Sequence, residues 1–141
     1  MALANSLALL AETFHLADIY VFGSRAKEIA ARMKEESTPA RVTASDVDIG
    51  IRTLRGVTLS PKELASLTVH LEDLFEVNRV DVVLLPSSDP FLALDIIRGE
   101  LLYTRDPLDQ ARYELLVLRR AGDLAPFKRA RMEMIMQGHG R

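Results

Sequence analysis

The chain has 141 residues, of which 48% are hydrophobic and 27% are charged, with a formal net charge of −2. This length fits one compact domain with a buried core, and no apolar run approaches the roughly 20 residues needed to span a bilayer. Cysteine is absent, which excludes disulfide scaffolds and thiolate metal sites and fits a reducing cytoplasm. The first residues lack a basic leader, so we expect neither a secretory signal nor membrane association.

Charge is distributed unevenly along the chain. Residues 105–141 carry eight basic and five acidic side chains, whereas the first 104 residues carry ten basic and fifteen acidic ones. We interpret the basic end as a solvated helical surface, so direct nucleic-acid binding is not expected; contact with an acidic partner or RNA is the alternative.

Helices and strands are predicted to alternate in the first half of the chain. Helical spacing of four apolar residues predicts an N-terminal helix: Leu3, Leu7, Leu10 and Phe14. A short β-rich run covers residues 18–22 and ends at Gly23. Helix-forming residues follow from Ser24, the expected N-cap, to Glu36, and residues 35–45 form a polar loop.

The middle of the chain predicts two strands joined by a helix. Residues 46–53 alternate between apolar and polar side chains, as in a strand that is buried on one face. A capping box with proline at the first helical position occupies residues 60–63 and opens a helix to Phe75. Residues 79–85 then form a nearly all-apolar strand, which only Asp81 interrupts.

The last part of the chain predicts a short helix at residues 91–97, a strand at 100–103 and two further helices. The first of these helices starts at Pro107 and places four apolar residues on one face: Leu108, Ala111, Leu115 and Leu118. The second covers residues 123–137, and we interpret its methionines as helix packing, with an adaptable patch for a partner protein as the alternative.

This order of elements predicts an α+β fold: a small mixed sheet whose helices pack mainly on one face, followed by C-terminal helices. We divide the domain into a core at residues 1–104 and a C-terminal helical extension at residues 105–141 that packs on it.

Two carboxylates stand at the start of one predicted strand. Asp46 and Asp48 are two residues apart, so they project to the same side, roughly 7 Å from each other along the strand. Carboxylates in such a position repel each other unless a cation neutralises them. Hard oxygen ligands suit Mg²⁺, which takes its remaining ligands from water and substrate phosphates.

A third carboxylate, Asp81, lies on a different predicted strand and joins the pair only if the two strands are neighbours. In that case three carboxylates can hold two metal ions about 3.5–4 Å apart, the arrangement used in phosphoryl-type displacement. The turn at Gly23 and Ser24 supplies the complementary part, because glycine lets a phosphate approach the backbone and the following helix presents free N–H groups.

Three segments together resemble the minimal nucleotidyltransferase (MNT) domains of the polymerase-β superfamily: Phe22-Gly23-Ser24-Arg25-Ala26, Ser45-Asp46-Val47-Asp48-Ile49 and Val80-Asp81-Val82-Val83. The signature of that family is Gly-Ser, a spacer, Asp-x-Asp and a third acid on a later strand. The resemblance covers most of the chain and implies a polymerase-β-like nucleotidyltransferase fold.

The resemblance also implies an activity: metal-dependent transfer of AMP from ATP to a hydroxyl. It implies that Asp46 and Asp48 bind the metals, and that Asp81 is the third acid, which positions or deprotonates the acceptor. Gly23 and Ser24 correspond to the phosphate-binding turn. Arg25 follows them and either braces a phosphate or pairs with a nearby carboxylate.

Stand-alone MNT domains of this size resemble antitoxins that are paired with HEPN-domain ribonucleases, and some are implied to adenylylate a tyrosine of that partner. We therefore expect a hetero-oligomer with a HEPN toxin. One departure from the family is the long spacer before Asp46, whose loop at residues 35–45 either closes over the nucleotide as a lid or blocks it. Arg41 in this loop is interpreted as exposed, with contact to the nucleotide as its alternative.

Two other functions stay open. In one, the fold is a non-catalytic binding module that neutralises a partner by contact. In the other, the chain is a small-molecule adenylyltransferase of the aminoglycoside-modifying type, but such enzymes normally carry a further substrate domain, for which we see no room. The retained acids favour catalysis, since a pure scaffold has no reason to keep them.

Overall fold

The computed structural model describes residues 2–34, 46–85 and 89–139. Its helices and strands are α1 Leu3–Thr13, β1 Leu16–Phe22, α2 Ala26–Lys34, β2 Val47–Thr53, α3 Pro61–Phe75, β3 Val80–Leu85, α4 Pro90–Ile97, β4 Glu100–Thr104 and α5 Pro107–His139. The predicted α+β class with a mixed sheet is confirmed. In the part of the chain described, no helix is both long and apolar enough to cross a bilayer.

The four strands form one sheet in the order β3-β2-β1-β4. Central strand β1 is antiparallel to both of its neighbours, β2 and β4. The exception is the pair β2 and β3, which run parallel and are joined by α3. A parallel pair needs such a crossover helix, since a tight turn can join only antiparallel strands.

Helices cover both faces of the sheet, which corrects the prediction that they pack mainly on one face. On one face α1, α2 and α3 bury the larger core, which includes Ile19 and Val21 of β1. On the opposite face α4 and the first half of α5 pack over Tyr20 and Phe22. Successive residues of a strand point to opposite faces, so β1 serves both cores and is buried almost throughout.

Two helix starts test the sequence prediction. The capping box of α3 is confirmed: the Glu63 N–H donates to Ser60 Oγ, and the Ser60 N–H donates to the Glu63 carboxylate, both at 3.1 Å. Helix α2 begins at Ala26, later than predicted, and its first helical hydrogen bond runs from the Ile29 N–H to the Arg25 carbonyl. Ser24 therefore lies in the turn before the helix and does not occupy the N-cap position.

The prediction of two separate C-terminal helices is wrong, because α5 is one continuous helix of 33 residues. Glycine and proline often end a helix, yet Gly122 and Pro126 both lie inside this one. Proline has no N–H to donate to the carbonyl four residues earlier, which here is the carbonyl of Gly122. The helix nevertheless continues on both sides of Pro126.

The face of α5 that packs against the domain differs from the one the apolar spacing singles out. Tyr113, Val117 and Ala121 are its buried residues. By contrast, Leu108 and Leu115 are each 60% exposed. The methionines near the end of the helix are also exposed, which contradicts their interpretation as helix packing: Met132, Met134 and Met136.

Candidate active site

The three predicted acids meet at one end of the sheet. Asp48 on β2 and Asp81 on β3 are direct partners in the parallel register, and Phe22 of β1 pairs with Asp48 from the other side. Asp46 immediately precedes β2. The condition for bringing Asp81 to the other two acids, that their strands be neighbours, is therefore met.

Gly23 brings the predicted phosphate turn into contact with this acid group. Its φ is +79°, a left-handed conformation that favours glycine. A Cβ atom at this position would lie 2.5 Å from Oδ2 of Asp48, closer than two such atoms can approach. Glycine is thus required here twice, by the backbone conformation and by the carboxylate beside it.

Arg79, which the sequence analysis did not single out, lies among the acids. Its Nε is 3.3 Å from Oδ1 of Asp81 and 3.5 Å from Oδ2 of Asp46. The Arg79 side chain is 68% exposed, so water screens both contacts and each adds little stability. Its position two residues before Asp81, on the same side of an extended chain, is the signal by which the sequence could have revealed it.

Of the three acids, Asp48 is the one whose negative charge is least balanced by a nearby basic side chain. Burial raises its pKa, and the negative charges of Asp81 and Asp46 raise it further. Among the described residues no salt bridge joins Asp48 to a basic side chain. A divalent cation would relieve this repulsion, and oxygen donors are the ligands that Mg²⁺ prefers.

The carboxylate oxygens of this site are suitable ligands for a metal ion, but the side chains are not arranged to bind one. Within residues 2–34, 46–85 and 89–139, no three carboxylate or histidine side chains are grouped closely enough to hold a metal ion. Asp46 and Asp81 instead lie against Arg79. Metal binding by the three acids requires that the guanidinium move away from between them.

A cleft of about 360 Å³ opens beside the turn, and Gly23 and Ser24 form part of its wall. Gly99 also lines the cleft, and a Cβ atom there would collide with the Val21 carbonyl oxygen. Two basic residues, Lys27 and Arg98, and two acidic ones, Asp95 and Glu100, also line the cleft. Since Gly23 touches both the cleft and Asp48, the cleft and the acid group form one continuous site.

Arg25 is not among the residues that line this cleft. It is 5% exposed, and its guanidinium donates to both carboxylate oxygens of Glu28, at 2.6 and 3.2 Å. The alternative that Arg25 pairs with a nearby carboxylate is therefore confirmed. Lys27 and Arg98 are the basic residues that face the cleft instead, and the sequence analysis gave neither a role. The loop at residues 35–45, with Arg41, lies outside the described residues.

A second charged group lies on the same face of the sheet, at the far end of β2. Asp18 is fully buried and accepts a hydrogen bond from Nε of Arg52 at 2.7 Å, and the same guanidinium donates to Asp109 of α5 at 2.8 Å. The guanidinium also stacks over the ring of Tyr113, 4.8 Å from its centroid. This group connects β1, β2 and α5.

A comparison with protein-family models matches residues 7–108 to the family described as polymerase beta, nucleotidyltransferase. The chain belongs to this family. The matched range contains all the predicted site residues. A comparison with curated proteins found no match.

Solved structures of toxin–antitoxin complexes have chains with a similar fold. One, a toxin–antitoxin with AMP-PNP, aligns with a TM-score of 0.70 at 20% identity over 94% of this chain and 98% of that one. An MNT antitoxin in complex with a tri-AMPylated HEPN toxin of Shewanella oneidensis aligns with a TM-score of 0.66 at 19% identity, over 95% and 96% of the two chains. In a mutant MntA complex, two aspartates two residues apart are changed to glutamate. A chain of this complex aligns with a TM-score of 0.70 at 19% identity, over 94% of this chain and 98% of that one.

Proposed function

We propose that this protein transfers AMP from ATP to a hydroxyl of a protein partner, and that the partner is a HEPN-domain toxin which the transfer silences. The register of Asp48 beside Asp81, with Gly23 against the Asp48 carboxylate, is the observation that carries the proposal. It joins a group of acids to a cleft that is lined by the Gly23-Ser24 turn and by the basic side chains of Lys27 and Arg98, together with two acidic ones.

In the proposed reaction the acceptor oxygen forms a bond to the α-phosphorus of ATP, and the bond from that phosphorus to the bridging oxygen breaks. Pyrophosphate leaves, and the hydroxyl proton passes to Asp81. Gly23 and Ser24 hold the phosphates, and Lys27 and Arg98 neutralise the charge of the departing pyrophosphate. Asp46, Asp48 and Asp81 would hold two Mg²⁺ ions, which would supply charge neutralisation at the transferred phosphoryl group.

The solved neighbours support this assignment by what they contain. One was solved with AMP-PNP, an ATP analogue, and another includes a HEPN toxin that carries AMP groups. The aspartates changed in the mutant MntA complex have the same spacing as Asp46 and Asp48. Because ATP is the proposed donor, we propose the cytoplasm as the compartment. We also propose that residues 1–104 carry the chemistry and that residues 105–141 contact the partner.

The direct test uses ATP labelled at its α-phosphate, Mg²⁺ and a HEPN-domain protein that co-purifies with this chain. We expect the wild type to label that protein, and Asp46→Asn or Asp48→Asn to lose the label while the circular dichroism spectrum stays unchanged. Asp73→Asn, an exposed change on α3, is the matched control and should label normally. Equal labelling by the Asp48 variant would refute the proposal.

A second candidate function is a binding module that neutralises its partner by contact alone. The observation that favours it is the contact of Arg79 with both Asp46 and Asp81. The melting temperature with and without MgATP separates the two functions. A shift of several degrees that Asp48→Asn abolishes indicates a nucleotide site, whereas no shift indicates the binding module.

A further inference from the structure

Helix α5 has two apolar faces, and only one of them is covered. The inner face packs on the domain through Tyr113, Val117 and Ala121. The outer face carries four apolar residues at spacings of three and four, which we call the outer stripe: Leu108, Ala111, Leu115 and Leu118. The three leucines are 60%, 60% and 46% exposed, and Ala111 is exposed as well. A stripe at this spacing is the pattern that packs against another helix.

The charged side chains beside the outer stripe are basic. Arg112 and Arg119 follow Leu108 and Leu115 by four residues, so they are their neighbours on the helix surface. Both arginines are exposed, and within the described part of the chain neither forms a salt bridge.

The acidic side chains at the start of α5 all accept hydrogen bonds from groups of this chain, although Asp106 and Asp109 are exposed. Asp109 accepts from Arg52, and Glu114 accepts from the buried Tyr20 hydroxyl at 2.9 Å. Asp106 accepts from the first N–H groups of the helix, those of Leu108 and Asp109. The outer side of α5 is therefore apolar along its centre, with Arg112 and Arg119 along one edge and the exposed Asp109 and Asp123 beside them.

We infer that the outer stripe is a docking surface for a helix of a different protein, one whose apolar ridge is flanked by carboxylates. A second copy of this chain would bring rows of arginine together, and like charges across an interface oppose association. Acidic side chains on the partner would complete the pairing that this chain does not supply from its own residues.

The identity of the partner rests on the proposed function, which makes it the HEPN-domain acceptor. The outer stripe suits this role by its place in the fold. Phe22, the strand partner of Asp48, packs in the same cluster as α4 and the inner face of α5. A protein held on α5 is thus held on the side of the sheet toward which the acid group projects.

The experiment measures binding of the same HEPN-domain protein by calorimetry, and the mass of each protein alone by light scattering. Two double variants remove one feature each: Leu108→Ser with Leu115→Ser, and Arg112→Glu with Arg119→Glu. Leu9→Ser on α1, where the leucine is 55% exposed, and Arg55→Glu in an exposed turn are the matched controls. Melting temperatures establish that all variants are folded.

We expect each double variant to weaken binding at least tenfold and the controls to change it less than twofold. The Arg112 and Arg119 variant should also lose most of the salt dependence of binding, because that dependence comes from the charged edge. Unchanged binding by both double variants, or no binding by the wild type, overturns the inference. So does a wild-type dimer that the leucine variant converts to monomers.

The failure of this inference and the failure of the proposed function give different results. Binding through the outer stripe without label transfer supports the surface and refutes the activity. Label transfer that the stripe variants leave intact at low partner concentration supports the activity and refutes the surface.

Discussion

Two acidic groups occupy opposite ends of β2 on one face of the sheet, and they differ in how their charge is balanced. At one end Asp18 is held 2.6 Å from an arginine whose side chain is only 14% exposed. At the other end burial, and then the charges of Asp81 and Asp46, raise the pKa of Asp48, and the cation beside these acids is the exposed Arg79. In the first group a largely buried arginine is paired with Asp18, whose pKa burial nevertheless raises, whereas the second has an excess of negative charge that an external cation can neutralise.

This difference separates a structural role from a chemical one more clearly than burial alone. Both groups lie beside apolar strands, and both contain an arginine between two aspartates. Only the group around Asp48 adjoins a glycine turn and a cleft. We therefore expect substitutions in the Asp18 group to change stability and substitutions in the Asp48 group to change activity.

The largest expected effect concerns Asp81. Replacing it by asparagine removes the proposed proton acceptor but keeps the size of the side chain, so the rate of AMP transfer should fall about a thousandfold. Asp46 and Asp48 remain, and we expect the protein still to gain thermal stability from MgATP. An Asp81→Asn protein that transfers AMP at the wild-type rate would show that this acid has no part in the reaction.

The next largest effect is on stability and compares the two arginines. Arg52→Met leaves Asp18 buried without its partner, and we expect the free energy of unfolding to fall by about 3 kcal/mol. Arg79→Met removes only exposed contacts and should cost less than about 1 kcal/mol. Urea unfolding of both variants measures the difference, and equal losses would contradict the contrast between the two groups.

Two glycines give a smaller effect with an internal control. Gly23 and Gly56 have similar positive φ angles, +79° and +81°, but only Gly23 lies against a side chain; the space around Gly56 is open. Alanine at either position should cost about 1 kcal/mol through backbone strain. Because only Gly23→Ala displaces Asp48, it alone should reduce AMP transfer. A matched loss of activity in Gly56→Ala would show that strain, and not the carboxylate contact, is responsible.

The smallest effect is a pH dependence. Burial and the charges of Asp81 and Asp46 raise the pKa of Asp48 in the folded protein above that of the unfolded chain. The folded state therefore binds this proton more tightly, and metal-free stability falls as pH rises through the raised pKa. The Asp48→Asn variant lacks this fall in stability. In EDTA its melting temperature should therefore be higher than that of the wild type at about pH 8. The difference should disappear below the ordinary pKa of aspartate, about 3.9. If the difference in melting temperature between the variant and the wild type stayed constant across this pH range, Asp48 could not be the source of the pH dependence.

Local sequence patterns predicted most of the fold. The alternation in residues 46–53 and the capping box at Ser60 are determined by neighbours in sequence, and both are confirmed. The pairing of Asp48 with Asp81 depends on strand order, which periodicity does not contain, so it could be stated only as a condition. Family resemblance, and not local pattern, identified the acids as one site.

The features of the fold that the sequence did not predict depend on contacts between residues that are far apart in the chain. Arg52 reaches both Asp18 and Asp109, which are 34 and 57 residues away along the chain. In α5 two apolar faces have the same helical periodicity, and only packing decides which is buried. The sequence singled out Leu108 and Leu115, but the domain buries the face of Tyr113 and Val117.

The central claim is that the acids around Asp48 form a metal-dependent nucleotide site. Electron paramagnetic resonance of Mn²⁺, added as a substitute for Mg²⁺ together with a non-hydrolysable ATP analogue, tests this claim most directly. We predict that the wild type and Asp73→Asn immobilise the ion and that Asp48→Asn does not. Free Mn²⁺ in the wild-type sample, or equal immobilisation by Asp48→Asn, would contradict the claim.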